Sequence, residues 1–155
     1  MNRADLAREL GPPGPVVIDT SVVIAYLDGG DAFSATANVL LDDLVAGGTH
    51  PAVLSAVTVT ECLVRPYRAG PEAVSTVAAF LGHFPNLRVR PIDAEVASEA
   101  ARVRALTGLR TPDAMVIATA LAEGVPFVVT ADGGWRRVSD VVAGLRVICL
   151  EALEP

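Results

Sequence analysis

Short apolar runs set between helical segments constrain this chain more than any other feature. Val16-Val17-Ile18, Val53-Leu54-Ser55, Phe127-Val128-Val129-Thr130 and Arg146-Val147-Ile148-Cys149-Leu150 are too short for stable helices. Runs of this kind read as strands buried on both faces of a parallel sheet. Leu87-Arg88-Val89-Arg90 alternates apolar with charged residues, so it belongs on an outer strand. Helical spacing fills the gaps between these runs. The order predicts an α/β protein: a three-layer α/β/α sandwich with a mostly parallel central sheet.

The helices are legible from their apolar stripes and their ends. Over residues 33–46, Phe33, Ala37, Leu40, Leu41 and Leu44 recur at helical spacing, Asp42 and Asp43 face outward, and Gly47-Gly48 stops the helix. Further helices are expected from Thr58 to about Tyr67, from Pro71 to Leu81, and from Asp93 to Leu106. In the last of these, Val96, Ala100 and Val103 form the apolar stripe opposite Glu95, Glu99 and Arg102. Thr111 to Glu123 is apolar nearly all round and should be buried. Residues 1–15 end in Gly-Pro-Pro-Gly-Pro, which interrupts regular structure, and read as an N-terminal arm before a single domain over 16–155.

Composition narrows the class. Hydrophobic residues make up 52% of the 155 residues and aromatic residues only 5%, so the core is aliphatic. No apolar run reaches the roughly 18 residues that a membrane span needs, and the N-terminus lacks the apolar stretch of a secretion signal. A cytoplasmic protein with no membrane partner is expected. Cys62 and Cys149 lack C-x-x-C spacing and read as buried free thiols. His50 and His83 stand alone and read as loop or helix-end residues. The net charge of −6 argues against a broad basic nucleic-acid surface. It leaves room for a nuclease whose acidic site is screened by metal ions.

Four carboxylates sit where an apolar run meets a helix start. They are Asp19 in V-V-I-D-T-S, Glu61 in T-V-T-E-C, Asp113 in R-T-P-D-A and Asp132 in V-V-T-A-D-G. In an open parallel sheet, ligands bind beyond the carboxyl ends of the strands. Asp19 and Asp132 directly follow strands, while Glu61 and Asp113 are expected in first helical turns, where the helix dipole favours the ionised form. Each acid also has an ordinary structural explanation. Thr58-x-x-Glu61 has the pattern of a capping box, Thr111-Pro112-Asp113 that of an N-cap followed by Pro and an acid, and Asp19 and Asp132 that of plain N-caps. Convergence would separate the readings. Two carboxylates about 4 Å apart repel by roughly 4 kcal/mol at an effective dielectric of 20, and bound Mg²⁺ or Mn²⁺ would offset that repulsion.

At these residues the chain resembles the PIN domain family, and within it the VapC-type toxin ribonucleases. Val-Ile-Asp19-Thr20-Ser21-Val-Val-Ile-Ala-Tyr-Leu is similar to the family's first motif, Thr60-Glu61 to the second acidic position, Arg110-Thr-Pro-Asp113-Ala-Met-Val-Ile-Ala-Thr-Ala to the third, and Val-Val-Thr130-Ala-Asp132 to the fourth. The resemblance spans roughly residues 16–150. Two departures stand out: Ala131 and Gly134 occupy places where the family often has Asn and a fifth acid, and the Gly-Pro-rich arm is longer than compact members need. The missing acid puts a second metal in doubt.

The resemblance implies a Mg²⁺- or Mn²⁺-dependent endoribonuclease, the toxin of a toxin–antitoxin pair, with an RNA substrate, a cognate antitoxin that blocks the acidic pocket with a basic side chain, and a homodimeric state. Asp19 and Asp113 would hold the metal, with Glu61 and Asp132 completing its shell directly or through water. Attack in line by an activated water would leave a 5′-phosphate and a 3′-hydroxyl. Thr20, Ser21 and Thr130 adjoin the acids, either as hydrogen-bonding supports or as cap residues. All twelve basic residues are arginine, so contacts to RNA phosphates would come from Arg65, Arg110, Arg136 and Arg137, unless these form surface ion pairs. Such contacts would weaken with salt.

The absence of lysine also removes competing assignments. Receiver domains and haloacid dehalogenase-like phosphatases need a lysine near the phosphate, and arginine is no simple replacement for a compact ammonium. No G-K-[ST] sequence supports a P-loop. The surviving alternative is a PIN-fold module that binds RNA or protein without cleaving. The apolar helices around residues 33–46 and 71–81 are open to reading as core, as a dimer face or as an antitoxin groove.

Overall fold

The computed structural model describes residues 1–150. The last five residues of the expected 16–155 domain therefore lie outside the described residues. Five strands form one sheet: β1 (Val16–Ile18), β2 (Ala52–Ser55), β3 (Leu87–Arg90), β4 (Phe127–Thr130) and β5 (Arg146–Cys149). Their spatial order is β3-β2-β1-β4-β5, and every neighbouring pair is parallel. The alternating strand β3 lies on an edge, as its pattern requires.

Successive strand residues point to opposite faces, and each face carries its own core. Val16, Ile18, Leu54, Val129 and Ile148 face one layer, which comprises α2 (Thr20–Asp28), α3 (Ser34–Asn38), α4 (Ala56–Ala69) and α5 (Pro71–His83). Val17, Val53 and Val128 face the other, built on α6 (Ala94–Thr107), α7 (Thr111–Ala122), a 3₁₀ turn (Gly133–Arg137) and α8 (Val138–Val141). This is the expected three-layer sandwich. As expected for a helix apolar all round, α7 buries Ala114, Val116, Ile117, Ala118 and Ala120.

Residues 33–46 are helical, but not uniformly so. After α3 the chain widens into a π-helical stretch, Val39–Val45, that sinks Leu40, Leu41, Leu44 and Val45 into the core. Those side chains are therefore core and supply no dimer face. At Gly47 an added Cβ would meet the Asp43 carbonyl oxygen at 2.4 Å, so only glycine fits where this helix ends.

The N-terminal segment departs from the expected arm. Asn2 and Asp5 form a capping box that starts α1 (Arg3–Leu10), and Leu6 and Leu10 are fully buried. The helix is further tied to edge strand β5 by an ion pair between Glu9 and Arg146. Only the Gly11–Pro15 run is irregular, and the buried His50 ring holds it through Nδ1, 3.1 Å from the Gly14 carbonyl. The proline-rich run hid a helix whose two leucines stand one turn apart. Because Leu6 belongs to the core, Leu6→Ala should cost about 2–5 kcal/mol of unfolding free energy in a urea titration, as for other buried leucines. Arg8→Ala, whose partner Asp5 is also solvent-accessible, should leave stability nearly unchanged.

Candidate active site

Strands β1 and β4 are adjacent, yet the chain leaves β1 towards β2 and β3 on one side and returns to β4 and β5 on the other. A parallel sheet opens a crevice at such a reversal, at the carboxyl ends of its strands. Asp19 follows β1 and Asp132 lies two residues beyond β4, so both stand at this crevice.

Asp19 caps α2, accepting the Ser21 backbone N–H, yet it is only 5% exposed. Its Oδ2 accepts hydrogen bonds from Ser21 Oγ (2.5 Å) and Thr130 Oγ1 (2.8 Å). Backbone amides fix those hydroxyls in turn. Ala131 N donates to Ser21 Oγ and Asp132 N donates to Thr130 Oγ1, both at 3.0 Å. Burial raises the Asp19 pKa above the ordinary carboxylate value, and the hydrogen bonds from Ser21 and Thr130 only partly oppose that shift. Among the described residues Asp19 has no ion-pair partner. It is a buried acid served by hydroxyls and backbone N–H groups, with no charged partner.

Glu61 reaches the same edge by a different route. Helix α4 begins two residues earlier than its Thr58 pattern suggests, with Ser55 as N-cap. Glu61 is thus its sixth residue and lies beyond the first turn, and the expected capping box does not form. The Thr20 hydroxyl instead donates to Glu61 Oε2 at 2.6 Å and lies 3.0 Å from the fully buried Thr58 hydroxyl. Thr20 and Ser21 therefore position two different acids from one helix turn.

Asp113 is also shifted by one place. Arg110, not Thr111, is the N-cap of α7, with Pro112 at the second helical position and Asp113 at the third. Asp113 is buried and receives both arms of Arg110, from Nε at 2.9 Å and from Nη2 at 3.1 Å. The Arg110 pKa is raised first by this hydrogen bonding and by the Asp113 charge, with smaller contributions from Glu61 and Asp132. One guanidinium therefore feels three of the four acids, which come from three separate elements.

Asp132 is the exposed member. Its Oδ1 accepts the Gly134 N–H at 2.8 Å. A Cβ at Gly134 would lie 3.0 Å from that same oxygen, so a side chain there would crowd the carboxylate. Where a fifth acid was a possibility, this chain supplies a backbone donor.

The expected arginine contacts divide. Arg65 pairs with Asp28 at 3.0 Å, a surface ion pair, and Arg110 is engaged with Asp113. Arg136 and Arg137 are exposed and form no ion pair among the described residues. Between α2, α4 and α5 lies a cavity of about 280 Å³, lined by Ile24, Leu27, Cys62, Pro66 and Val77, with Glu61 and Arg65 also on its wall. The Cys62 thiol is buried and pushed up to about 12, by burial first and then by the Glu61 and Asp19 charges. Cys149 is only half-buried, contrary to expectation, and its sulfur lies 3.7 Å from the Asp132 carbonyl oxygen. Trp135, the only tryptophan, is 1% exposed and anchors the turn after Asp132; its Gly-Gly and Arg-Arg neighbours concealed a core residue.

In kind, these donors suit a hard divalent cation, being carboxylates oriented by hydroxyls. The buried, cation-free Asp19 is the feature that fits such an ion best. In placement they stop short of a closed cage: among the described residues no group of three or more His, Cys, Asp or Glu side chains gathers to hold a metal. Glu61 is turned to Thr20, and Asp113 to Arg110.

The fold and the edge-on acids define a parallel α/β protein with its candidate site at the switch point. The PIN domain profile matches residues 16–141, and the chain belongs to the PIN domain family. Its fold is similar to that of Mycobacterium tuberculosis VapC20, a Sarcin-Ricin loop cleaving toxin. That match has 22% identity and a TM-score of 0.64, and covers 82% of this chain and 96% of that one. A toxin–antitoxin complex from Klebsiella pneumoniae matches at 19% identity and 0.63, covering 83% and 97%. VapBC2 from Rickettsia felis, bound to a DNA fragment from its promoter, matches at 14% and 0.63, covering 88% and 99%. No curated protein matches the sequence. Helix α1 lies ahead of the matched residues.

The raised Asp19 pKa has a defined consequence. The folded state disfavours the charged form, so ionisation costs stability as pH rises from the unfolded value through the folded one. Asp19→Asn keeps an acceptor for Ser21 and Thr130 but cannot ionise. In metal-free protein it should therefore be more stable than wild type at pH 7, with the gap closing below about pH 4. Thermal melts across pH would check this, and a destabilised variant at pH 7 would contradict it.

Proposed function

We infer that the protein is a Mg²⁺- or Mn²⁺-dependent endoribonuclease that acts as the toxin of a toxin–antitoxin pair. The observation that carries this reading is Asp19, a buried carboxylate with no ion-pair partner among the described residues, at the switch point of a PIN fold where Asp132 follows the neighbouring strand. Isolated buried charge is costly, and an external cation offsets that cost. Asp19 and Asp113 are the proposed ligands, with Glu61 and Asp132 acting directly or through water. A divalent ion held there would polarise the scissile phosphate and lower the pKa of a water.

The remaining work falls to the chain itself. Ser21 and Thr130 fix the direction of the Asp19 carboxylate. Thr20 sets Glu61 against the same crevice. The Gly134 N–H limits how far Asp132 can turn. Pre-set groups of this kind need little reorganisation when substrate arrives. Arg136 and Arg137, exposed and uncommitted, follow Asp132 in the chain and are the best candidates for contacts to phosphates of the RNA strand.

The partner reading has its own support. Tyr67 is 72% exposed and Val64 44% exposed, both on α4, whose other residues line the apolar cavity beside Glu61. A protein partner such as an antitoxin would cover that surface. A homodimer is proposed on family grounds. No described helix is long and apolar enough to cross a membrane, and a cytoplasmic location is proposed.

Cleavage of an RNA panel with Mg²⁺ or Mn²⁺ tests the function. Wild type should cut with metal and not with chelator, while Asp19→Asn and Asp113→Asn should each lose at least about 100-fold, the scale seen when charge-stabilising groups are removed. Equal activity in all three proteins would remove the assignment. A wild type inactive on every RNA would favour a PIN-fold module that binds RNA or protein without cleaving.

A further inference from the structure

Arg110 occupies an unexpected position for a residue in a cation-binding site. Both oxygens of the Asp113 carboxylate are taken by its guanidinium in a two-pronged pair, the strongest geometry available to these groups. The Asp113 side chain is 11% exposed and that of Arg110 is 78% exposed, so the guanidinium covers the acid from the solvent side. Its charge also acts on Glu61 from α4 and on Asp132 from the loop after β4. Three of the four acids, Asp113, Glu61 and Asp132, thus share a cation already, and it belongs to the chain.

We propose that Arg110 is an internal counter-ion of the acidic site, which a divalent ion must displace from Asp113 in order to bind. This rests on the reading of Asp113 as a metal ligand. A divalent ion and a guanidinium on the same two oxygens would repel each other at close range. The arginine is the partner that can leave. Its side chain is 78% exposed while that of Asp113 is 11% exposed, so water can take up the guanidinium once the pair opens. Asp113, fixed near the start of α7, stays in place. The pair keeps Asp113 charged and oriented until metal arrives. Once released, the guanidinium stands at the mouth of the site, where the phosphates of a polyanionic substrate would pass.

The inference predicts a metal affinity that rises when the arginine is removed, opposite to the effect of losing a supporting residue. Mn²⁺ binding to the full chain can be followed at low salt by calorimetry, with melting curves as a check on folding. Arg110→Ala and Arg110→Gln should both bind Mn²⁺ about fivefold more tightly than wild type, the upper end of what loss of an ion pair with one solvent-exposed partner releases. The glutamine variant keeps a hydrogen-bond donor beside Asp113, so agreement between the two assigns the effect to charge. In wild type, titration with Mg²⁺ should move the Arg110 Nε–H resonance away from its carboxylate-bound position.

Asp113→Asn separates this inference from the reading beneath it. If Asp113→Asn weakens Mn²⁺ binding but both Arg110 variants bind as wild type does, or more weakly, Arg110 is not a competitor and the metal site stands. If Asp113→Asn leaves Mn²⁺ binding unchanged, or wild type binds no Mn²⁺, the metal reading fails and the inference fails with it.

Discussion

The hydrogen bond from Thr130 to Asp19 joins the two strands between which the chain reverses its course across the sheet. Everything at the candidate site depends on that junction. It sets the end of β4 against the end of β1, fixes the direction of a buried carboxylate, and lets the amide two residues on, Asp132 N, bind the same threonine hydroxyl. Two acids more than a hundred residues apart in the chain are thereby referenced to one side-chain oxygen. The apolar strand residues on either side of this edge make the arrangement rigid, since both faces of the sheet are packed.

Around that junction, the electrostatics of the site are unbalanced in a particular way. Asp113 has its own cation, Glu61 has a hydroxyl, Asp132 has a backbone amide, and Asp19 has only neutral donors in a buried setting. A fold selected for stability alone would not keep an uncompensated carboxylate in its interior. Proteins hold such strain where function uses it. The imbalance at Asp19 is what an incoming divalent ion would relieve, and the compensation at Asp113 is what it would have to replace.

Most of the architecture was legible because its signals are local. The apolar triplets and quartets marked the strands, the alternation in Leu87–Arg90 marked an edge, and the four acids were found by their position after apolar runs. Signals that depend on a partner elsewhere in the chain were not legible. The Thr58 spacing offers Glu61 a capping box as one of its two readings, but Thr20, 41 residues earlier, donates to its carboxylate instead. For Arg110 the sequence leaves an RNA contact and an ion pair both open, and the coordinates supply the pair, three residues ahead with Asp113. Helix α1 was hidden by the Gly-Pro run behind it, although Leu6 and Leu10 are spaced one turn apart. The role of Gly134, too, needed coordinates: its absent side chain makes room for Asp132 to accept a backbone hydrogen bond.

The central claim is that Asp19 and Asp113 face a common divalent ion at the switch point of the sheet. A crystal of the protein soaked in Mn²⁺, with anomalous scattering recorded to locate the metal, tests it most directly. The account predicts a peak at about 2.1–2.2 Å from a carboxylate oxygen of both Asp19 and Asp113, the distance expected for small octahedral divalent ions. A fully occupied Mn²⁺ elsewhere on the protein, with the Asp19 and Asp113 carboxylates free of metal, would contradict it.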